Sequence, residues 1–491
     1  MLNDGHSPVQ RYAPLACWLI VIAAALLLCL KILGYGYLPG GDARRHAAHV
    51  FTDRDYTQIV VMKPLYSMNH SPGWEWLLRQ LQRLTHWNED GLIAFSIAVP
   101  LGFILCVPLF WMRRPEAWLA ALLAQLIAIP ELMTRLTQGR PYLLTEGVLI
   151  CLLLAWSKEE AETPPWPKIL LSGAAFALSA WMHGAWYLWA LLPPAFFLAQ
   201  RWRAGAWLGA CWLGGSFLGG CLTGRPFVFL KQAVMIAVTI QQEHAPARLL
   251  VGEFRPSEGE FATLAILAAV YLWSKAQKIK APPLARQPVF WMILVPWVLG
   301  FFADRFWADW GLPAALVWMA MQFDEAMPLL CAEAAPARLA ACALIALPLY
   351  LDATNDLDQR YTNSLHEPFV DGSQPGLQGW MPDPGGIFYS AQMRFFYNTF
   401  YRNPQGDWRY IIGYEPALMP DDDLKILRNI QLSGFAPESF EPWAAKLRPQ
   451  DRLEIESPNR PDLPALEWKN AVSYIWIGRL PRATPSPKEK P

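Results

Sequence analysis

The segment Leu38-Pro39-Gly40-Gly41-Asp42-Ala43-Arg44-Arg45-His46-Ala47-Ala48 gathers a carboxylate, two guanidinium groups and an imidazole on neighbouring residues. An aspartate can take a proton from a hydroxyl or hold a divalent metal ion. Arginine forks match phosphate oxygens bidentately. Residues of these types could take a proton from a hydroxyl and stabilise a departing phosphate. The bland alternative is that Asp42 caps the helix that Ala43–Val50 is expected to form. Some way on, Tyr66-Ser67-Met68-Asn69-His70-Ser71-Pro72-Gly73-Trp74 offers Asn69 as a hydroxyl ligand and His70 as a polar group on a turn. An apolar-periodic stretch, Trp76–Leu84, follows. Three further places carry polar groups beside apolar runs: Arg140 in Gln138-Gly139-Arg140-Pro141-Tyr142, His183 before Gly184, and Arg305 with Asp309 in Asp304-Arg305-Phe306-Trp307-Ala308-Asp309-Trp310-Gly311. Arg140 could equally snorkel at an interface, His183 could be packed, and Arg305 and Asp309 could form a local pair.

These groups need a frame, and the composition says which. Apolar residues make up 54% of the chain and charged residues 17%, below the quarter usual in soluble domains. Runs of about 20 apolar residues cross a bilayer as helices, because a helix satisfies its own backbone in hydrocarbon. About eleven such spans are expected, near 14–33, 91–111, 117–133, 141–157, 168–182, 185–200, 205–223, 260–275, 288–303, 312–330 and 337–351. Many of the 25 tryptophans fall at span ends, where indole rests at headgroup level. Short loops holding Arg113 and Arg114, Lys158 and Lys168, Arg201 and Arg203, the Lys275, Lys278, Lys280 and Arg286 cluster, and Arg338 alternate along the chain. The positive-inside rule assigns them, with Arg11, to the cytoplasm. The first opposite loop, 34–90, is also basic, but it is outweighed by the consistent set. Asp42 is then expected at the outer membrane surface.

After Tyr350 the chain turns polar and proline-rich. Residues 352–483 are expected to form a small α+β extracytoplasmic domain beside a transmembrane domain of 1–351. Its helix starts at Asp421-Asp422-Asp423 and closes at Gly434, and its strands are Arg409–Tyr414, Arg452–Ser457 and Ala471–Ile477. The tail Thr484–Pro491 is expected to be disordered. Net charge is zero, which argues against a nucleic-acid partner. The eight cysteines form no CxxC pair and read as small buried hydrophobes, with neither a zinc site nor a disulfide framework.

The order of motifs in 34–90 resembles the first luminal or periplasmic loop of GT-C glycosyltransferases, such as protein O-mannosyltransferases and bacterial aminoarabinose transferases. In those families an acidic residue just after span one precedes a surface helix. A His/Lys-Pro-Pro-Leu/Gly-type turn and a second helix then lead into span two. Asp42 matches the acidic position, and His70-Ser71-Pro72-Gly73 matches the turn with Ser71 in place of the first proline. Ala43 stands where the family often has the second acid of an Asp-Glu pair. The resemblance implies a GT-C-like polytopic helical protein of the cell (inner) membrane, moving a sugar from a polyprenyl-phosphate donor to an extracytoplasmic lipid, glycan or protein. It implies Asp42 as the catalytic carboxylate and Arg44, Arg45, His46, Asn69, His70, Arg140, His183, Arg305 and Asp309 as substrate ligands. A divalent metal is an option, with no metal ligands assigned.

Other signals carry less. Asp53-Arg54-Asp55 and Asp421–Asp423 match the Asp-x-Asp pattern of nucleotide-sugar enzymes but fall on the outer side, and the second opens a helix. Asp324-Glu325 lies at the inner end of span ten. The long loop 224–259 reads equally as a lid over a lipid groove or an amphipathic surface helix. No Walker A, Gly-x-Gly-x-x-Gly or serine-elbow motif is present. Two alternatives stand beside the transferase: a non-enzymatic transporter or lipid-handling protein, and a ligase or polymerase of the O-antigen type. The first wants polar residues lining mid-span positions and the second a large basic mid-chain loop.

Overall fold

A computed structural model describes residues 8–157, 164–243, 246–279, 281–330 and 335–481. The side chain of Arg11 and residues Lys158, Lys280, Cys331 and Thr484–Pro491 lie outside the described set. The chain is mostly helical up to Thr354 and mixed α/β beyond it.

The first helix, Pro8–Gly34, runs against Ala335–Thr354, so the start and end of the helical part are neighbours. Three helices are long and apolar enough to cross a membrane: Tyr12–Gly34, Glu89–Trp111 and Ala335–Thr354. Trp202–Cys221 and Pro226–Gln242, bent by 111°, add a fourth if taken as one broken span. Most other expected spans are apolar helices of 10–17 residues. Their shortness has local causes. Residues 117–133 split at Pro130 into Pro115–Ala128 and Leu132–Leu136, and 185–200 begins as a 3₁₀ helix, Trp186–Leu191, ahead of Pro193-Pro194. Leu312–Leu330 keeps its length but is largely buried and carries Asp324 and Glu325. Trp166–Met182 and Trp202–Cys221 lie backbone to backbone: a Cβ on Gly219 would sit 2.3 Å from the carbonyl of Ala177, so only glycine permits this approach.

The connections sort to two ends. Arg201 donates to the carbonyl of Ser157, Lys168 to that of Ala155, and Arg338 grips buried Glu116 with two nitrogens, at one end. Helix Tyr142–Ser157 starts at the other end, where Trp166–Met182 finishes. Asp324 accepts from the backbone N–H groups of Arg113 and Arg114 at the basic end, a structural tie.

Residues beyond 384 build a five-stranded mixed sheet. Strands β1 (Gly386–Tyr389), β2 (Trp408–Tyr410), β3 (Arg452–Glu456), β4 (Glu467–Val472) and β5 (Ile475–Arg479) stand in the order β2-β1-β3-β5-β4. The first three are parallel, and β5 is antiparallel to β3 and β4. The expected single strand Ala471–Ile477 is corrected here: it is the hairpin between β4 and β5, turning at Ser473 with φ 51°. Serine is an unfavoured residue in that left-handed conformation, which hid the turn. The expected strand at 409–414 is shorter, ending at Tyr410. The helix opened by Asp421–Asp423 ends at Leu432, with Gly434 at positive φ just after it. Phe388, Phe395, Phe396 and Phe400 pack in the core of this part.

The first loop is built into the sheet. Val60 bridges Tyr410 beside β2, the Val61 N–H donates to the Tyr410 carbonyl, and the Lys63 N–H donates to that of Leu418. Asp55 caps the short helix Tyr56–Ile59 with a capping box, while Arg54 donates to the carbonyls of Gly406, Gln58 and Trp408. Asp55 therefore has a structural role. Seven cysteines are described as free, and all but exposed Cys221 are at least partly buried.

Candidate active site

At the end of the helical part opposite the basic connections lies a cavity of about 190 Å³. Asp42, Arg45, His70, Arg140, His183, Arg305 and Asp309 line it. They come from five stretches of chain that share only their nearness to one end of the apolar helices. Arg44, His46 and Asn69 lie behind the wall.

Asp42 is the first residue of helix Asp42–Val50, with Gly41 at the N-cap. Its side chain makes no capping bond. Instead Oδ1 accepts from Arg45 Nε at 3.2 Å and Nη2 at 2.9 Å, one turn along. Oδ2 lies 3.9 Å from Arg140 Nε. Gly139 lets Arg140 come this close: its φ is +65°, and a Cβ there would meet that of Ala43 at 3.0 Å. Burial pushes the Asp42 carboxyl up, but the charges of Arg45, then Arg140, outweigh this and hold it well below the carboxylate range. Asp42 is thus ionised at any physiological pH, and 27% of its side chain remains exposed.

Two further arginines complete the cationic wall. Arg305 Nε donates to Asp309 Oδ2 at 3.1 Å, and its guanidinium lies 4.8 Å from the centre of the Tyr142 ring. Asp309 belongs to a π-helical turn, Trp307–Gly311, which swings it inward to pair with Arg135 as well. Arg135 also lies 3.9 Å from Glu146, whose Oε1 makes no hydrogen bond within the protein. His70 and His183 stack edge to face at 4.6 Å, and the Gly184 N–H donates to the His70 carbonyl. Burial, then the Arg305 and Arg45 charges, lower the His70 imidazole to about 3, so it is neutral.

The lid is mixed. Helix Pro226–Gln242 supplies Ile236 and Ile240, and the loop after it supplies Val251, Glu253 and Phe254. Glu253 pairs with Arg140, and its second oxygen is 3.8 Å from Arg305. From the C-terminal part come Tyr397, Tyr414 and Glu415. Burial raises the Glu415 carboxyl to about 7, despite the N–H that Ala417 donates to it.

The residues behind the wall hold it. Arg44 is fully buried, donating to Glu367 at 2.5 Å, to Asn398 and to the Leu38 carbonyl, and so joins the first loop to the C-terminal part. His46 sits between Glu75 and Arg45, and Asn69 donates to Glu75 while accepting from the Ser71 N–H. Glu75, Arg135, Glu146, Glu253 and Glu415 were not singled out from the sequence. Glu146 carried a readable signal, an acid inside an apolar run; the others did not.

Among the described residues no group of three or more His, Cys, Asp or Glu is spaced to hold a metal ion. Asp42 itself faces two guanidinium groups, which repel a cation. This donor set does not fit a divalent ion.

No protein-family model and no curated protein sequence matches the chain. Solved structures do. ArnT from Cupriavidus metallidurans bound to undecaprenyl phosphate is similar at TM-score 0.56 and 15% identity, over 94% of this chain and 97% of that one. Its apo state gives TM-score 0.53 over the same shares. The archaeal oligosaccharyltransferase AglB from Archaeoglobus fulgidus, in complex with an inhibitory peptide and a dolichol-phosphate, gives TM-score 0.55 at 14% identity, over 91% of this chain and 70% of that one. Across nearly its whole length, this chain shares the fold of ArnT and AglB.

Proposed function

We propose that the protein transfers a sugar from a polyprenyl-phosphate donor to a hydroxyl-bearing lipid, glycan or protein on the extracytoplasmic side of a cell membrane. One observation carries the reading: Asp42 and the cations Arg45, Arg140 and Arg305 line a single cavity, walled on one side by apolar helices and on the other by the C-terminal part. The basic connections at the far end support a cytoplasmic position for that end. Residues 1–351 then form the membrane domain and 352–483 an extracytoplasmic domain.

In this reading the donor phosphate sits among Arg140, Arg305 and the Nη1 of Arg45, which is buried and makes no hydrogen bond within the protein. The prenyl chain runs down a second cavity of about 260 Å³, lined wholly by apolar and aromatic groups including Leu264, Leu267, Tyr271, Leu294, Trp297 and Trp318. The acceptor oxygen forms its bond to the anomeric carbon from the face opposite the phosphate. The bond from that carbon to the phosphate oxygen breaks, and its electron pair leaves on the phosphate. The acceptor proton passes to Asp42 Oδ2, the oxygen not held by Arg45. A strongly acidic carboxylate is a weak base, so its pull grows only as the hydroxyl gains positive charge in the transition state. A phosphate that draws Arg140 away would also raise the basicity of Asp42.

The test is transfer of label from radiolabelled polyprenyl-phosphate sugars in proteoliposomes. Wild type should transfer, and Asp42→Asn should lose at least about 100-fold in kcat. Full activity in the folded variant would end Asp42's assignment, and no transfer by wild type with a broad acceptor pool would end the transferase reading.

A further inference from the structure

Glu75 lies outside the cavity, yet more polar groups converge on it than on any residue described above. It is in the first turn of helix Pro72–Thr85, with 5% of its side chain exposed. Oε1 accepts from His46 Nδ1 at 2.9 Å and from the Tyr56 hydroxyl at 2.8 Å. Oε2 accepts from the Asn69 amide and lies 2.7 Å from His49 Nδ1. A solvated first-turn acid answering the helix dipole would need none of these partners.

The bonds continue in one direction. An imidazole that donates from Nδ1 to a carboxylate has Nε2 left as an acceptor. His46 Nε2 is 3.0 Å from Arg45 Nη2. The same Nη2 has its other proton for Asp42 Oδ1 at 2.9 Å. Arginine carries about 2 kcal/mol of rotamer freedom, and here it is confined on every side. The Tyr414 ring lies 4.5 Å and the Tyr56 ring 5.0 Å from the guanidinium carbon. Tyr56 is itself tied to Glu75, so the carboxylate fixes both the ring and the imidazole that frame Arg45.

We infer that Glu75 is a positioning residue: through His46 and Tyr56 it fixes the Arg45 guanidinium on Asp42 Oδ1, leaving Oδ2 to the cavity. The inference rests on the reading of Asp42 as the reacting carboxylate, and its test separates the two. Besides Arg45 and His46 on its own helix, Asp42 is faced by Arg140, by His70, and by Tyr397 and Tyr414 from the C-terminal part. None of these bonds to Glu75, so a change at Glu75 reaches Asp42 through the relay.

The experiment labels Asp42 in the full chain in detergent with a water-soluble carbodiimide and an amine, across a pH series, quantified by mass spectrometry. Carbodiimides attack the protonated carboxyl, so the rate reports how firmly Arg45 holds Asp42 ionised. Glu75→Gln turns one acceptor into a donor, and His46→Ala cuts the relay while leaving Glu75 its other partners. Both should raise Asp42 labelling about tenfold at a given mildly acidic pH. His46→Gln, whose amide can bridge the same groups, should return it towards wild type. In the transfer assay both breaking variants should lose about 10–100-fold in kcat, with the donor KM within about threefold and the acidic limb moved to higher pH. Wild-type labelling and an unmoved limb in folded variants would overturn the inference, even if activity fell. Should Glu75→Gln fail to fold, His46→Ala decides alone. Should wild type transfer nothing, the labelling still decides the relay while the function fails.

Discussion

Glu253 occupies the place where the proposed reading puts the donor phosphate. It bridges Arg140 and Arg305 from a loop, with 22% of its side chain exposed. A phosphate can enter this pair of cations only by displacing it. Glu253→Gln keeps the shape of the loop and removes the competing charge. At 3.8 Å the Arg305 pair alone is worth about 4 kcal/mol of raw Coulomb attraction at an effective dielectric of about 20. Most of that is offset by the hydration both groups give up and by solvent reaching them, leaving about 1–2 kcal/mol. The variant should therefore bind undecaprenyl phosphate about 5–30-fold more tightly than wild type, and the gain should shrink in high salt. Isothermal titration of the purified protein in detergent, at low and high ionic strength, measures this directly. Unchanged or weaker binding would refute the competition, and weaker binding would make Glu253 a ligand for another part of the substrate.

Two more outcomes follow from buried charges. Arg44→Ala takes the donor from Asn398 Oδ1 and leaves Glu367 with the Asn398 amide alone, and should destabilise the protein by about 2–3 kcal/mol, less than a fully enclosed pair because Glu367 reaches solvent; thermal unfolding in detergent measures it, and a change under about 0.5 kcal/mol would show the clamp idle. Glu415 is held protonated in the folded chain up to about 7, whereas the unfolded chain ionises at the ordinary glutamate value, so the folded state binds more protons in between and its stability falls as pH rises through that window. Glu415→Gln should flatten this part of the stability profile, and an unchanged slope would count against it.

What could be read from the sequence followed from position along the apolar pattern. Asp42, Arg140, His183 and Arg305 each stand beside an apolar run, and alternation of the basic loops puts those ends together without any knowledge of packing. Glu75 could not be found that way. In Trp74-Glu75-Trp76 it reads as an ordinary first-turn acid, and its partners come from two helices and a turn whose mutual angles the sequence does not express. Glu253 sits in a stretch with no periodicity at all. The hairpin of β4 and β5 was hidden because Ser473 takes a conformation usually given to glycine or asparagine. Span number was the least legible quantity, since helices packed inside a bundle need not be as long as a bilayer is thick.

Arg44 has a consequence for how the molecule comes into being. Its carboxylate partner lies 323 residues later and its amide partner 354 residues later, and Val60 waits for Tyr410 in the same way. Chains emerge N-terminus first. The first loop therefore leaves the ribosome long before the residues that neutralise and order it exist, and the cavity closes only when synthesis is almost finished. A nascent chain has Arg45 and Tyr56 but not Tyr414, the second ring against that guanidinium, so the cationic wall stays incomplete until the C-terminal part docks. Under the proposed function, activity would then be a checkpoint on complete synthesis, absent from chains broken off early.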